Sequence, residues 1–333
     1  MSSFNTYIAR RFLMIFRNDE DKCDFICCGA AAGVAAAFGA PVGGIVFVLE
    51  EGASYLKLPL IFILLLSSTF SFLVLNLLQS MFAPEDWKTG SYQGFLSFGS
   101  FENSEWDMTQ LGIFAIIGII GGVSGALFNK INEKLTQFRM KKVNKHAFLR
   151  VSEILTWSVI VTLAAIGMMT QFADCQEMDE MDPNQRVRLY CEDGKYHGGA
   201  STCKLLMLFH KYIFASSHII FSGFATPESV IKELLHKPYG HYDTPNLFVF
   251  AIAYFFLACY TYGLSISSGL FIPCLLIGAS WGRIIGRMLI LYTDWDVGDP
   301  GKYALMAAVA QLSGVVRISV CVAAIVSEAT GRF

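Results

Sequence analysis

Apolar stretches rich in small residues recur along this chain: Gly29 to Leu49, Leu58 to Leu78, Leu111 to Phe128, Ile154 to Met169, Leu247 to Tyr262, Leu270 to Leu291 and Tyr303 to Val326. No other feature constrains the fold as much. Crossing the hydrocarbon core of a bilayer takes about 20 helical residues, because only internal bonding satisfies the backbone there. Charged residues make up 16% of the chain. An average soluble domain carries about 25%. The pattern predicts an all-α, multi-span integral membrane protein. Several stretches are short or interrupted by Gly and Pro, as in transporters with tilted, discontinuous helices.

The connections set the orientation. Lys130 to Arg150 holds Lys130, Lys134, Arg139, Lys141, Lys142, Lys145 and Arg150 against Glu133 alone. A short loop of this kind stays cytosolic. Met81 to Gln110 (Glu85, Asp86, Glu102, Glu105 and Asp107 against Lys88) is acidic, and so is Gln171 to Gly199. Both lie one span from the basic loop, so both face a lumen or the exterior. The same reckoning puts Glu50 and Glu51 at the cytosolic side. Cys203 to Leu235 is mixed in polarity and reads as amphipathic or re-entrant helices around Ala225-Thr226-Pro227-Glu228, where Pro227 can open a helix. Residues 1–28 form a lead-in rather than a signal peptide, since Arg10, Arg11 and Arg17 flank an apolar run too short to span. That lead-in either lies at the interface or stays in the cytosol.

Composition also excludes. A formal net charge of -2 leaves no basic excess for nucleic acid. Nine cysteines are scattered without metal-ligand spacing. Cys175, Cys191 and Cys203 flank or occupy the second acidic loop, where two of them can pair in an oxidising lumen. No Ser/His constellation or paired His or Asp cluster lies in the apolar helices, which argues against an enzyme. No cofactor or metal is expected.

The chemistry concentrates at two places. Gly269, Leu270, Phe271, Ile272 and Pro273 open an apolar run and read as a helix that starts inside the membrane. A helix start exposes backbone N–H groups and a partial positive charge, so it holds an anion without any charged side chain. Ser265, Ser267 and Ser268 just upstream either cap that helix or line an anion path. Glu50 and Glu51 end another apolar helix. Adjacent helical residues point about 100° apart, so the two carboxylates meet different surroundings. Each is either a boundary residue or part of a proton relay, and the C-terminal helix dipole favours protonation there. Arg317 is the one cation in the last apolar stretch, and pairing is expected for it. Glu328 reads most simply as a boundary residue. Ala30 to Gly52 and Ala308 to Thr330 align without gaps, with Glu50 on Glu328. That match is either an internal repeat or chance similarity between Ala/Gly/Val-rich helices.

Three segments carry a resemblance: GAAAGVAAAFGAPVGGIVFVLEEGASY (Gly29 to Tyr55), YFFLACYTYGLSISSGLFIP (Tyr254 to Pro273) and GDPGKYALMAAVAQLSGVVR (Gly298 to Arg317). Together they resemble the CLC family of chloride channels and chloride/proton exchangers, and EEGAS with DPGKYALM looks most like its lysosomal/late-endosomal exchanger branch. GLFIP fits the family's anion signature G-x-F-x-P. The resemblance implies that the backbone N–H groups of Leu270 and Phe271 bind chloride. It also implies that Glu51, the second glutamate of the pair, admits protons from the cytosol.

The resemblance further implies a voltage-dependent chloride/proton antiporter in an endomembrane, lysosomal or late-endosomal. Its partners would be chloride, protons, membrane lipid, a second CLC subunit in a homodimer, and a glycosylated single-pass accessory subunit. The chain itself has no Asn-x-Ser/Thr sequon. On this scheme residues 29–79 are the end of the first inverted repeat and 110–333 most of the second. The family's G-S-G-I-P and G-K/R-E-G-P signatures, its late chloride-site tyrosine and the CBS domains of its eukaryotic members have no counterpart in the sequence. The chain is therefore expected to be a truncated member, inactive alone. Two alternatives accompany the antiporter reading: a truncated subunit that dimerises with and regulates a complete one, and a passive chloride channel.

Overall fold

The computed structural model describes residues 19–52, 57–82, 108–171, 175–177, 195–197, 227–236, 244–266, 268–292 and 299–330. They fall into two compact units. The first comprises residues 1–100 with 318–333, the second 101–317.

In the first unit, α1 (Asp19–Phe38) ends at Gly39, whose φ of 65° lies in the left-handed region. Pro41 then opens α2 (Pro41–Phe47) at the first helical position, where its missing N–H costs nothing. The α2 helix runs directly into a π-helical turn, Val48–Gly52. The long apolar α3 (Leu58–Phe82) packs on α1, and α10 (Val320–Ala329) packs on α2. Ser67 and Ser71, one turn apart on α3, donate to the carbonyls of Cys28 and Ala32 on α1 at 3.1 and 3.0 Å. Between membrane helices such bonds take over part of the role that the hydrophobic effect plays in water.

The second unit contains α4 (Met108–Lys142), α5 (Ala147–Gln171), α6 (Pro227–His236), α7 (Thr244–Thr261), α8 (Phe271–Tyr292) and α9 (Pro300–Val316). Its core is α8 against α9 and α9 against α4. Small residues make these contacts close. A Cβ at Gly278 would lie 2.5 Å from the Ala308 Cα, and one at Gly121 would lie 2.6 Å from the Ala310 Cβ. At the α4–α9 contact Ser124 donates to the buried Gln311, and Asn129 Nδ2 reaches the Val315 carbonyl at 2.9 Å. A short antiparallel pair, β1 (Cys175–Glu177) with β2 (Lys195–His197), is the one sheet among the described residues.

Among the described residues, five helices are long and apolar enough to cross a membrane: α3, α4, α5, α7 and α8. Their outward faces are apolar too, with Phe62 64%, Ile119 67% and Leu163 63% exposed. Such faces suit lipid rather than water.

The structure refines three of the stretches. The Gly29 to Leu49 stretch is two helices, because Gly39 and Pro41 break it. The basic stretch is mainly helix, with only 143–146 joining α4 to α5. Tyr303 to Val326 also breaks, at Arg317, which takes φ 64° and caps α9; its side chain is exposed, and no ion pair engages it among the described residues. That break mirrors the first one. Arg317 falls on Gly39 in the gapless alignment, and the two share the same left-handed backbone. Most of Cys203 to Leu235 lies outside the described residues, although α6 does begin at Pro227. The pairing open to Cys175, Cys191 and Cys203 rests on side chains outside them.

Candidate anion site and carboxylate pair

The anion motif is built from the end of α7 and the start of α8. After Thr261 the chain turns through Gly263, with φ 96°, and residues 262–266 and 268–270 are non-helical ahead of Phe271. Cys274 N donates to the Leu270 carbonyl at 3.2 Å, which closes the first turn of α8 and puts Leu270 at its N-cap. Phe271, Ile272 and Pro273 form that turn. First-turn N–H groups of a helix point away from it, and Pro273 carries none. Gly269 is exposed, Leu270 to Ile272 are half-buried, and Pro273 to Ser280 are buried. The expected break is therefore present, with no charged side chain in the motif. Ser268 sits two residues before the N-cap position, too far upstream to cap in the usual way, and Ser267 lies outside the described residues.

A polar cluster that sequence reasoning misses holds the loop before this motif. Arg139 is buried on α4. Its Nε donates to Glu153 at 2.8 Å, its Nη1 to the Tyr262 carbonyl at 3.2 Å and its Nη2 to the Tyr260 carbonyl at 2.6 Å. Asn132, two turns earlier on α4, donates to the carbonyls of Cys259 and Tyr262 at 3.1 and 2.8 Å. Cationic and amide donors thus satisfy carbonyls at the α7 C-terminus, where the dipole favours positive charge. The Arg139 guanidinium also lies 4.6 Å from the Tyr260 ring centroid, and Trp157 stacks on that ring at 3.9 Å. A Cβ at Gly263 would sit 3.2 Å from Arg139 Nη1, so glycine suits both the turn and the close approach. In sequence Arg139 is one cation among several, and its carbonyl partners lie far along the chain.

Glu50 and Glu51 sit in the π-helical turn, a feature frequent at functional sites. Both are exposed, but their surroundings differ. Glu50 Oε1 accepts from the N–H groups of Ser319 (3.0 Å) and Val320 (3.4 Å), and Oε2 accepts from Cys321 (2.8 Å). The sequence places Glu50 at a helix C-terminus, which favours protonation. In the structure its carboxylate meets the N-terminus of a second helix, which has the opposite polarity. Desolvation pushes its pKa up, but the N–H bonds from Cys321, Ser319 and Val320 outweigh that and leave it below the ordinary value. With a lowered pKa, the cap contributes fully above the unfolded glutamate value near ~4.3 and is lost as pH falls through the folded value. Glu50 is thus ionised at neutral pH. No hydrogen bond engages the Glu51 side chain among the described residues. Glu328, expected as a boundary residue, accepts from the N–H groups of Val42 (3.2 Å) and Gly43 (3.0 Å) at the start of α2. Its match to Glu50 in the repeat alignment is the signal that could have revealed this.

The family model for voltage gated chloride channels matches residues 2–333. The H(+)/Cl(-) exchange transporters 7 of Mus musculus and Homo sapiens are each 39% identical over 98% of this chain and 39% of their own length. Chloride channel protein A of Dictyostelium discoideum is 31% identical over 96% of this chain and 39% of its own length. Among solved structures, a eukaryotic CLC transporter superposes with a TM-score of 0.54 at 22% identity, covering 94% of this chain and 41% of that one. A slow cyanobacterial Cl-/H+ antiporter gives 0.59 at 17% identity, covering 95% and 58%. At these identities the structures speak for the fold. The chain spans about two fifths of the length of the curated relatives it matches.

Proposed function

Because the chain belongs to the voltage-gated chloride channel family, we propose that it is part of an integral membrane protein that exchanges chloride for protons in a voltage-dependent manner. The compartment we infer is a lysosomal or late-endosomal membrane, which is where the wording of EEGAS and DPGKYALM points. The observation that carries the reading is the opening of α8 at Phe271, inside Gly269 to Pro273, directly after the non-helical residues 268–270.

In this reading the backbone N–H groups of Leu270 and Phe271 hold the chloride. Gly269, Ile272 and Pro273 shape the turn that presents them. Partial charges on amides replace part of the ion's hydration without the grip of a full cation, so the ion also leaves. Proton entry falls to Glu51, the carboxylate that carries no bond to a helix end among the described residues. Glu50 completes the pair as a fixed anion. The protein acts as a transporter rather than an enzyme, in keeping with relatives named as exchange transporters. It works without a cofactor, in lipid, with a second subunit of its kind. The absence of sequons is compatible with a glycosylated single-pass accessory subunit. Glu51 favours exchange over passive channel behaviour.

Glu51→Ala tests the reading in the complete protein reconstituted in liposomes. Chloride flux is expected to persist while coupled proton movement disappears. Proton transport undiminished by the substitution refutes the assignment.

A further inference from the structure

Transport as proposed uses neither Glu328 nor the hydrogen bonds of Glu50, and both belong to one arrangement. The helices α2 and α10 run antiparallel. Glu50, past the C-terminal end of α2, accepts the first amides of α10, while Glu328, in the last turn of α10, accepts the first amides of α2. The partners correspond. In the gapless alignment Val42 falls on Val320 and Gly43 on Cys321, just as Glu50 falls on Glu328. Each carboxylate closes on the residues that its counterpart's helix offers, as a local two-fold requires. Pro41 falls on Ser319 and has no N–H, so Glu328 takes two amides where Glu50 takes three.

Between the two clasps the helices touch backbone to backbone. A Cβ at Gly43 would lie 2.5 Å from Ile325 Cγ1 and 3.1 Å from its Cα. Cys321 Sγ donates to the Gly43 carbonyl at 3.7 Å. The α2 helix has only 7 residues. A helix of two turns has no stability of its own, so its direction is set by whatever holds its ends. Its C-terminal end continues without a break into the turn that carries Glu51.

We propose that Glu328 and Glu50 are positioning residues for the proton step, two carboxylate–amide clasps that fix α2 against α10 and thereby hold Glu51 where protons reach it. This rests on Glu51 as the relay. Glu328 acts from the far end of α2. Releasing it lets the short helix pivot, and the pivot is felt at Glu51.

The test uses the complete protein in liposomes, with chloride and proton fluxes measured together, and amide hydrogen exchange on the segments holding 42–43 and 319–321. Glu328→Gln keeps the side-chain shape but removes the charge. Exchange at Val42 and Gly43 is expected to quicken about tenfold or more as a charge-assisted bond weakens. The proton-to-chloride ratio is expected to fall by about tenfold, as misplacing a reacting group does, while chloride flux persists. Glu50→Gln should quicken exchange at 319–321 with the same effect on the ratio. If Glu328→Gln fails to fold, Glu328→Asp, which withdraws the carboxylate by one methylene, is expected to act in the same direction. Unchanged exchange overturns the proposal. So does quickened exchange with an unchanged ratio, which marks a purely structural role. Glu51→Ala is run alongside. Undiminished proton transport in that variant sinks the relay itself and the positioning role with it, while the exchange arm still reports whether the clasps exist.

Discussion

Arg139 shows how a single side chain can tie down the end of one helix ahead of the next. Its side chain is 4% exposed and that of its partner Glu153 14%, so this is a buried ion pair. Such pairs add little net stability over apolar replacements, yet breaking one leaves a stranded charge. Glu153→Leu is therefore expected to cost about 3 kcal/mol, with the double substitution Arg139→Met with Glu153→Leu recovering much of that loss. Thermal unfolding of the four proteins in detergent checks it. A double variant no better than the sum of the singles would mean that the pair is not coupled. Glu50 teaches the converse lesson. Its role derives from the helix it meets rather than the helix it ends, and three backbone donors hold it as an anion. The sequence names the residue at this position, but the field around it comes from a segment far along the chain.

Among the elements, the two breaks matter most. The break after α1 uses Gly39, the residue best suited to a left-handed backbone, whereas the break after α9 puts Arg317 in the same conformation. A side chain there costs roughly 1–2 kcal/mol, and a β-branched one more. Arg317→Gly should unfold at the same or a higher temperature than the parent, and Arg317→Val should be less stable than Arg317→Gly by about 2 kcal/mol. Equal stability of the two would argue against the left-handed turn. Most helices are legible from apolar runs alone: α3, α7 and α8 lie within a few residues of the expected stretches, and α5 contains its stretch but begins earlier, at Ala147. The interrupted ones are harder. Pro41 is visible in the sequence, but nothing marks Arg317 as a break except its alignment with Gly39.

For the molecule as a whole, charge asymmetry predicts the sidedness. Lys145→Cys, between α4 and α5, should react with a membrane-impermeant maleimide from the cytosolic face only, and Asp193→Cys from the luminal face only; the reverse pattern would invert the topology. The sequence by itself determined a helical membrane protein, the positions of most spans, the broken helix at Leu270 and Phe271, and the family. It could do so because hydropathy, proline, glycine and short motifs act locally, within a turn or two of where they are written. Tertiary structure alone decided which of two adjacent glutamates is tied to a helix end, that Glu328 closes on the first amides of α2, and that Arg139 holds the carbonyls at the end of α7. Those outcomes depend on hydrogen bonds between segments distant along the chain, and a carboxylate or guanidinium carries no local mark of the backbone groups that folding brings to it.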